Sequence, residues 1–184
     1  STKSSITKLF ADDSLLYKAI QVKNDSILLQ QDLTALETWE KTWQMSFNPS
    51  KCVVLRISPK GTHILDTSYK LHGHTLEIVD ASKCLGVTIS ETLTWEDHIK
   101  SVVNKGNRTV GFLRRNLRDC TPPVKAAAYN AIARPTLEYA AAVWDPTSRS
   151  SVKLIEQVQR RAARFVVNDY SSRTPGCVTK MTED

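Results

Sequence analysis

The chain has 184 residues, 41% hydrophobic and 24% charged, enough for one to one and a half globular domains with a sizeable core. Its apolar runs are far too short to span a bilayer, and Ser1-Thr2-Lys3-Ser4-Ser5 is followed by no apolar signal-peptide core. The expectation is an intracellular chain, nuclear or cytoplasmic, with no membrane partner. The net charge of +6 is uneven: residues up to Asp97 sum to −2 and those from His98 onward to +8.

Residues 5–10 and 14–20 predict the two arms of a hairpin closed by Ala11-Asp12-Asp13. Two adjacent carboxylates repel unless a cation or solvent separates them. At a hairpin tip they suit Mg²⁺, a hard cation that takes oxygen ligands and shares its other positions with phosphates. A solvated Asp-Asp turn is the plainer alternative. The turn lacks the Asn-Gly or Asp-Gly pair of a routine two-residue hairpin.

Asn24-Asp25 predicts a helix N-cap, with Asp25 the better candidate. Leu29, Leu33, Leu36 and Trp43 then form a core stripe on a helix of about five turns, while Gln30, Gln31, Glu37, Glu40 and Lys41 fill the other face. Phe47-Asn48-Pro49-Ser50-Lys51 breaks it. Strands follow over 52–58 and 83–90, with a hairpin pairing 69–71 and 75–79 across His72-Gly73-His74 and a turn at Pro59-Lys60-Gly61. Gly86 in the last strand permits close backbone approach. His63 could be drawn with His72 and His74 as a metal cluster, but a His-Gly-His turn explains the same residues. Cys52, Cys84, Cys120 and Cys177 are scattered and suit reduced thiols rather than a disulfide framework or a zinc site.

From Thr94 the apolar period becomes helical. Trp95, Ile99, Val102, Val103, Gly106, Val110 and Leu113 predict a long helix ending in Arg114, Arg115 and Arg118. Thr121-Pro122-Pro123 starts the next, Arg134-Pro135 punctuates it, and residues 136–144 continue as a helical segment. Pro146-Thr147-Ser148 ends that segment. The last helix, 151–167, carries Arg160, Arg161 and Arg164 on one side, as nucleic-acid contacts or as a solvated face. The tail after Asn168 is polar and holds Pro175-Gly176. The pattern predicts an α+β fold in which an antiparallel sheet with a covering helix precedes an all-helical part. A basic helical half is a footprint for a polyanion, and a solvated surface is the ordinary alternative.

Taken in order, five stretches resemble the reverse transcriptases of non-long-terminal-repeat retrotransposons, of the jockey or chicken-repeat-like type. They are Phe10-Ala11-Asp12-Asp13; Leu29-Gln30-Gln31-Asp32-Leu33 with Trp39, Trp43 and Met45; Phe47-Asn48-Pro49-Ser50-Lys51; Cys84-Leu85-Gly86-Val87 through Leu93-Thr94-Trp95 and His98-Ile99; and Arg134-Pro135-Thr136-Leu137-Glu138-Tyr139-Ala140 with Val143-Trp144. The resemblance implies RNA-directed DNA polymerisation. It makes residues 1–93 the C-terminal half of a palm, 94–170 a basic thumb-like region and 171–184 a truncated polar tail.

It further implies Mg²⁺ or Mn²⁺ as cofactor, an RNA template with a DNA primer, deoxynucleoside triphosphates, and the rest of a retroelement polyprotein as partner. Asp12 and Asp13 become metal ligands and catalytic residues, and Lys51 a cation near the pyrophosphate. Leu85 and Gly86 would lie against the primer strand. Lys100, Lys105, Arg108, Arg114 and Arg115 would hold duplex phosphates. The family's palm takes another aspartate from an upstream strand, and the first acidic residue here is Asp12. The expectation is therefore a fragment that binds metal weakly and polymerises nothing alone. The alternative is a non-enzymatic nucleic-acid-binding module or a degenerate relic; a protein-interaction domain is a third reading.

Overall fold

The computed structural model describes residues 4–59, 65–146 and 148–170. The expectations for His63, Cys177, Lys60-Gly61, Thr147 and the 171–184 tail lie outside the described residues. The chain divides into two compact units, Ser1–Leu93 and Thr94–Asp184. It is a mixed α and β structure, strands and one helix in the first unit and helices in the second.

In the first unit, β1 (Ile6–Phe10) and β2 (Asp13–Tyr17) form an antiparallel hairpin in the register Ile6↔Tyr17 to Phe10↔Asp13. Helix α1 spans Lys23–Trp43, nearly six turns. Asp25 is its third residue rather than its N-cap. From there its carboxylate reaches back to the Val22 and Gln21 N–H groups at 3.0 and 2.9 Å. Those two bonds hold it below the usual carboxylate range, Val22's first.

The predicted sheet appears as four two-stranded ladders among the described residues. Strand β3 (Val53–Leu55) pairs in parallel with β6 (Glu77–Val79), and β4 (Lys70–Leu71) pairs with β5 (His74–Thr75) across a His72-Gly73 turn. So residues 77–79 leave the hairpin expected for them and join a distant strand. Residues 83–90 are not one strand but a hairpin, β7 (Ala81–Cys84) and β8 (Val87–Ser90). The core is Tyr69, Leu71 and Leu76, packed by Leu29, Leu33, Phe47, Cys52 and Val54. Trp43, expected in the apolar stripe, is 65% exposed.

The buried residues of α1 are instead Ser26, Asp32 and Glu40, and its polar side chains dock the chain beyond it. Gln30 accepts from the Lys70 N–H at 2.8 Å and donates to the Lys70 carbonyl at 2.9 Å, closing a strand-like pair. Glu37 accepts from the His72 N–H at 2.6 Å. Glu40 Oε2 meets His72 Nε2 at 2.6 Å, and Oε1 accepts from the Phe47 N–H. A buried carboxylate is tolerable only when hydrogen-bonded in this way.

The second unit contains α2 (Glu96–Asn116), α3 (Pro122–Ala128), α4 (Arg134–Glu138), α5 (Ala141–Trp144) and α6 (Arg149–Val167). A π-helical turn, Tyr129–Ala133, joins α3 to α4. Arg134-Pro135 therefore does not stop the helix. Proline clashes with the carbonyl four residues back and cannot donate to it; the wider turn just upstream accommodates both. The predicted 136–144 helix breaks at Ala140, which is left-handed at φ 54°. Ile99, Val158 and Trp144 are the largest fully buried side chains. The Trp144 indole N–H donates to the Tyr139 carbonyl at 2.8 Å, and its ring meets His98 edge-on at 5.3 Å. At Gly106 a β-carbon would come within 2.6 Å of Leu137 Cδ2 and 3.2 Å of Val158, so any larger residue there must displace the Leu137 side chain.

Candidate catalytic hairpin and basic helical face

The β1–β2 hairpin is anchored at its base. Asp32 of α1, 6% exposed, accepts on one oxygen from the N–H and hydroxyl of both Ser4 and Ser5, at 2.6–3.3 Å. Across the base, Lys18 Nζ donates to the Ser4 carbonyl at 3.2 Å. The tip is exposed, with Leu9 and Phe10 at 66% and 67%. There the turn is Ala11-Asp12. Ala11 sits at φ 52°, a region that β-carbons disfavour, and Asp13 opens β2 opposite Phe10.

Asp12 and Asp13 are both exposed, and among the described residues neither carboxylate takes part in an ion pair. Their oxygens are the hard donors a divalent cation selects. No group of three or more His, Cys, Asp or Glu side chains placed for a metal occurs among the described residues. The pair thus fits part of a ligand set.

Lys51 ends a 3₁₀ turn, Pro49–Lys51, and is exposed. Asn48 shapes that turn: its Oδ1 accepts from the Ser50 N–H at 3.0 Å and hydroxyl at 2.7 Å. Among the described residues no ion pair joins Lys51 to Asp12 or Asp13. Leu85 and Gly86 form the turn of the β7–β8 hairpin, at φ 46° and 85°. Positive φ at both central residues is what a tight type I′ hairpin demands. Gly86 therefore serves the turn rather than a strand interior.

The five cations proposed on α2 separate by helical phase and by partner. Lys105 and Arg114 lie nine residues apart, two and a half turns at roughly 3.6 residues per turn, and so on opposite sides. The Arg114 guanidinium stacks 4.6 Å from the Tyr170 ring, and Lys100 is paired with Asp97 at 3.3 Å. Arg108 and Arg115 share the outward stripe with Asn104, Asn107 and Gly111, which together line a shallow depression of about 600 Å³. Sequence reading passed over three positioning residues, Asp32, Glu40 and Asn107. Asn107 accepts from Arg161 of α6 at 2.7 Å. The available signal for the two acids was their place on the helix, eight residues apart and close to the apolar stripe's edge.

Among known proteins, the chain is 26% identical over 170 residues to a probable RNA-directed DNA polymerase from transposon BS of Drosophila melanogaster, covering 90% of this chain and 19% of that protein. It is 26% identical over 165 residues to the RNA-directed DNA polymerase from mobile element jockey of the same organism, covering 85% and 17%. It is 28% identical over 162 residues to a putative 115 kDa protein in the type-1 retrotransposable element R1DM, covering 84% and 15%. The chain spans less than a fifth of the length of each. No protein-family model matches the chain, and no solved structure matches it.

Proposed function

We propose, for a chain whose resemblance to jockey-type non-long-terminal-repeat reverse transcriptases is borne out by its relatives, that it is part of an RNA-directed DNA polymerase. The first unit would act as the C-terminal half of a palm and the helical unit as a thumb-like region. The observation that carries the reading is the exposed Asp12-Asp13 tip on a hairpin rooted through Asp32. A rigid base and an accessible pair of carboxylates are what a metal-binding box needs.

Asp12 and Asp13 would hold Mg²⁺ or Mn²⁺; when bound, such ions activate a primer 3′-oxygen and stabilise a leaving pyrophosphate. Lys51 would offer an exposed ammonium as a cation for the pyrophosphate or as its proton donor. Leu85 and Gly86 present a protruding turn to the primer strand. The α2 cations would hold duplex phosphates without reading sequence. The substrates would be an RNA template with a DNA primer and deoxynucleoside triphosphates, inside the cell, and the remainder of the retroelement polyprotein would complete the site. Among the described residues only two carboxylates stand at the tip, so the 184-residue chain alone is inactive in this reading.

Mn²⁺ titration followed by electron paramagnetic resonance tests it. Weak binding is expected in the unaltered chain and none in Asp12→Asn/Asp13→Asn with an unchanged circular dichroism spectrum. Equal binding by the double variant overturns the metal assignment. Primer extension by the purified chain, abolished by Asp12→Ala, overturns the claim that it is inactive alone.

A further inference from the structure

We propose that Thr121 is a phosphorylation site for a proline-directed protein kinase, and that the Lys125 ammonium is the counter-ion of the resulting phosphate. The inference stands apart from the polymerase reading. It starts from a buried charge that no acid meets. Lys125 is 4% exposed, a burial that lysine rarely accepts unless an anion pairs with it. Its Nζ stands 5.5 Å from the centroid of the Phe165 ring on α6, a cation–π contact that offsets part of the cost. Among the described residues, no carboxylate lies within 4.0 Å of it.

One turn back is Thr121. The Lys125 N–H donates to the Thr121 carbonyl at 3.1 Å, which sets the two residues one above the other on α3. Helical side chains lean toward the N-terminus, so the lysine stem runs back toward the threonine. Thr121 occupies the N-cap position, yet its hydroxyl makes no capping bond. Pro122 and Pro123 remove the first two N–H groups of the helix. The hydroxyl thereby loses one of its two usual partners, and the helix end itself has little to give an anion. Lys125, not the helix end, is the group that answers a phosphate here.

The loop presents the threonine in the required form. Proline-directed kinases take their substrate extended, with the hydroxyl residue immediately before a proline. Thr121 has φ −70° and ψ 155°, the extended conformation that a following proline imposes. It is exposed, as are Arg118, Asp119, Pro122 and Pro123 between α2 and α3. Ser58-Pro59 is the other such pair among the described residues. There the serine is half-buried and its N–H donates to the Glu91 carbonyl at 3.3 Å. Thr174-Pro175 lies outside the described residues. Residues 114–125 carry Arg114, Arg115, Arg118 and Lys125 against Asp119 alone, so a dianion enters a positive setting.

In the reaction, Thr121 Oγ1 attacks the γ-phosphorus of ATP. The new O–P bond forms as the bond to the β,γ-bridging oxygen breaks, ADP departs with that electron pair, and the hydroxyl proton passes to the kinase's catalytic base. The product carries roughly −1.5 to −2 charge at pH 7 and draws the Lys125 Nζ from the Phe165 ring into a charge-assisted hydrogen bond.

The test is phosphorylation of the full chain by a purified mitogen-activated protein kinase with Mg²⁺-ATP, read by phosphopeptide mass spectrometry, and then ³¹P NMR of the product across pH. Label at Thr121 is expected to exceed label at Ser58 at least tenfold and to fall at least tenfold in Pro122→Ala. The second pKa of the phosphate is about 6 when unpaired, and is expected about 0.5 or more lower in the phosphoprotein than in a phosphopeptide of residues 117–125. Lys125→Met keeps an apolar stem and is expected to return it to the peptide value with an unchanged circular dichroism spectrum. Lys125→Arg is expected to keep the lower value. Label absent from Thr121, or no stronger there than at Ser58, overturns the site. A phosphate that titrates in the phosphoprotein as it does in the peptide, or a lowered value that survives Lys125→Met, overturns the counter-ion.

Discussion

Glu40 shows how one polar residue organises the first unit. It is 3% exposed, yet it receives the Phe47 N–H and the His72 imidazole and lies close enough to Cys52 to act on it. Burial first, and then the Glu40 charge, push the Cys52 thiol above its ordinary value. The fold thus favours the neutral thiol. That preference contributes stability in full below the ordinary thiol range and loses it as the pH rises through the raised value. Since the thiolate is the nucleophile, Cys52 should react with iodoacetamide at pH 8 more slowly than a free cysteine thiol. Glu40→Gln should speed that reaction severalfold, as read by peptide mass spectrometry. Glu40→Ala should also destabilise the chain by about 1–3 kcal/mol in urea unfolding, since the half-buried Phe47 N–H and the more exposed His72 imidazole lose their acceptor. A Glu40→Ala change below 1 kcal/mol would show that the interaction is peripheral.

The elements record which local signals act alone. Helices α1, α2 and α6 were legible because their apolar positions repeat at helical spacing, and Ser148, whose hydroxyl accepts from the Ser151 N–H, caps α6. The β7–β8 turn was not legible. Leucine is rare at positive φ, so Leu85-Gly86 reads as strand, and only the register of the flanking pairs reveals the turn. The parallel β3–β6 pairing was hidden because it joins residues more than twenty positions apart, where local pattern carries no information. The docking role of the polar side chains of α1 is not legible because hydropathy scores a carboxylate identically whether it is exposed or satisfied. The strain at Leu85 makes a prediction: Leu85→Asn, which tolerates positive φ, should stabilise the hairpin by roughly 0.5–1 kcal/mol in thermal unfolding. If Leu85 also lies against the primer strand, the same variant should bind an RNA–DNA hybrid more weakly. Destabilisation instead would mean that packing of this half-exposed leucine outweighs the turn.

Over the whole molecule, charge and architecture change together. The −2 portion carries the Asp pair, the strands and α1, and the +8 portion carries nearly all of the remaining helical residues. The carboxylate pair and the basic helical period were both visible in the sequence, whereas the selection among the cations was not. That selection depends on helical phase and on partners such as Asn107 and Tyr170. Each unit has its own core, one around Tyr69, Leu71 and Leu76 and the other around Ile99, Trp144 and Val158. A defect in one core should therefore register locally. Gly106→Ala forces a methyl against Leu137 and Val158 and should cost about 1–3 kcal/mol. Hydrogen exchange should rise across α2, α4 and α6 and stay unchanged across α1 and β3–β6. A uniform rise through both units would show that they unfold as one.

The missing β-carbon at Gly106 also sets a direction. Helix α2 can meet Leu137 and Val158 closely only where its surface is bare. Turning it by a single residue, about 100°, would present a side chain there and jam the fit. The helix is keyed like a shaft with one flat, and the aim of Arg108 and Arg115 is set on the opposite side by an uncharged gap.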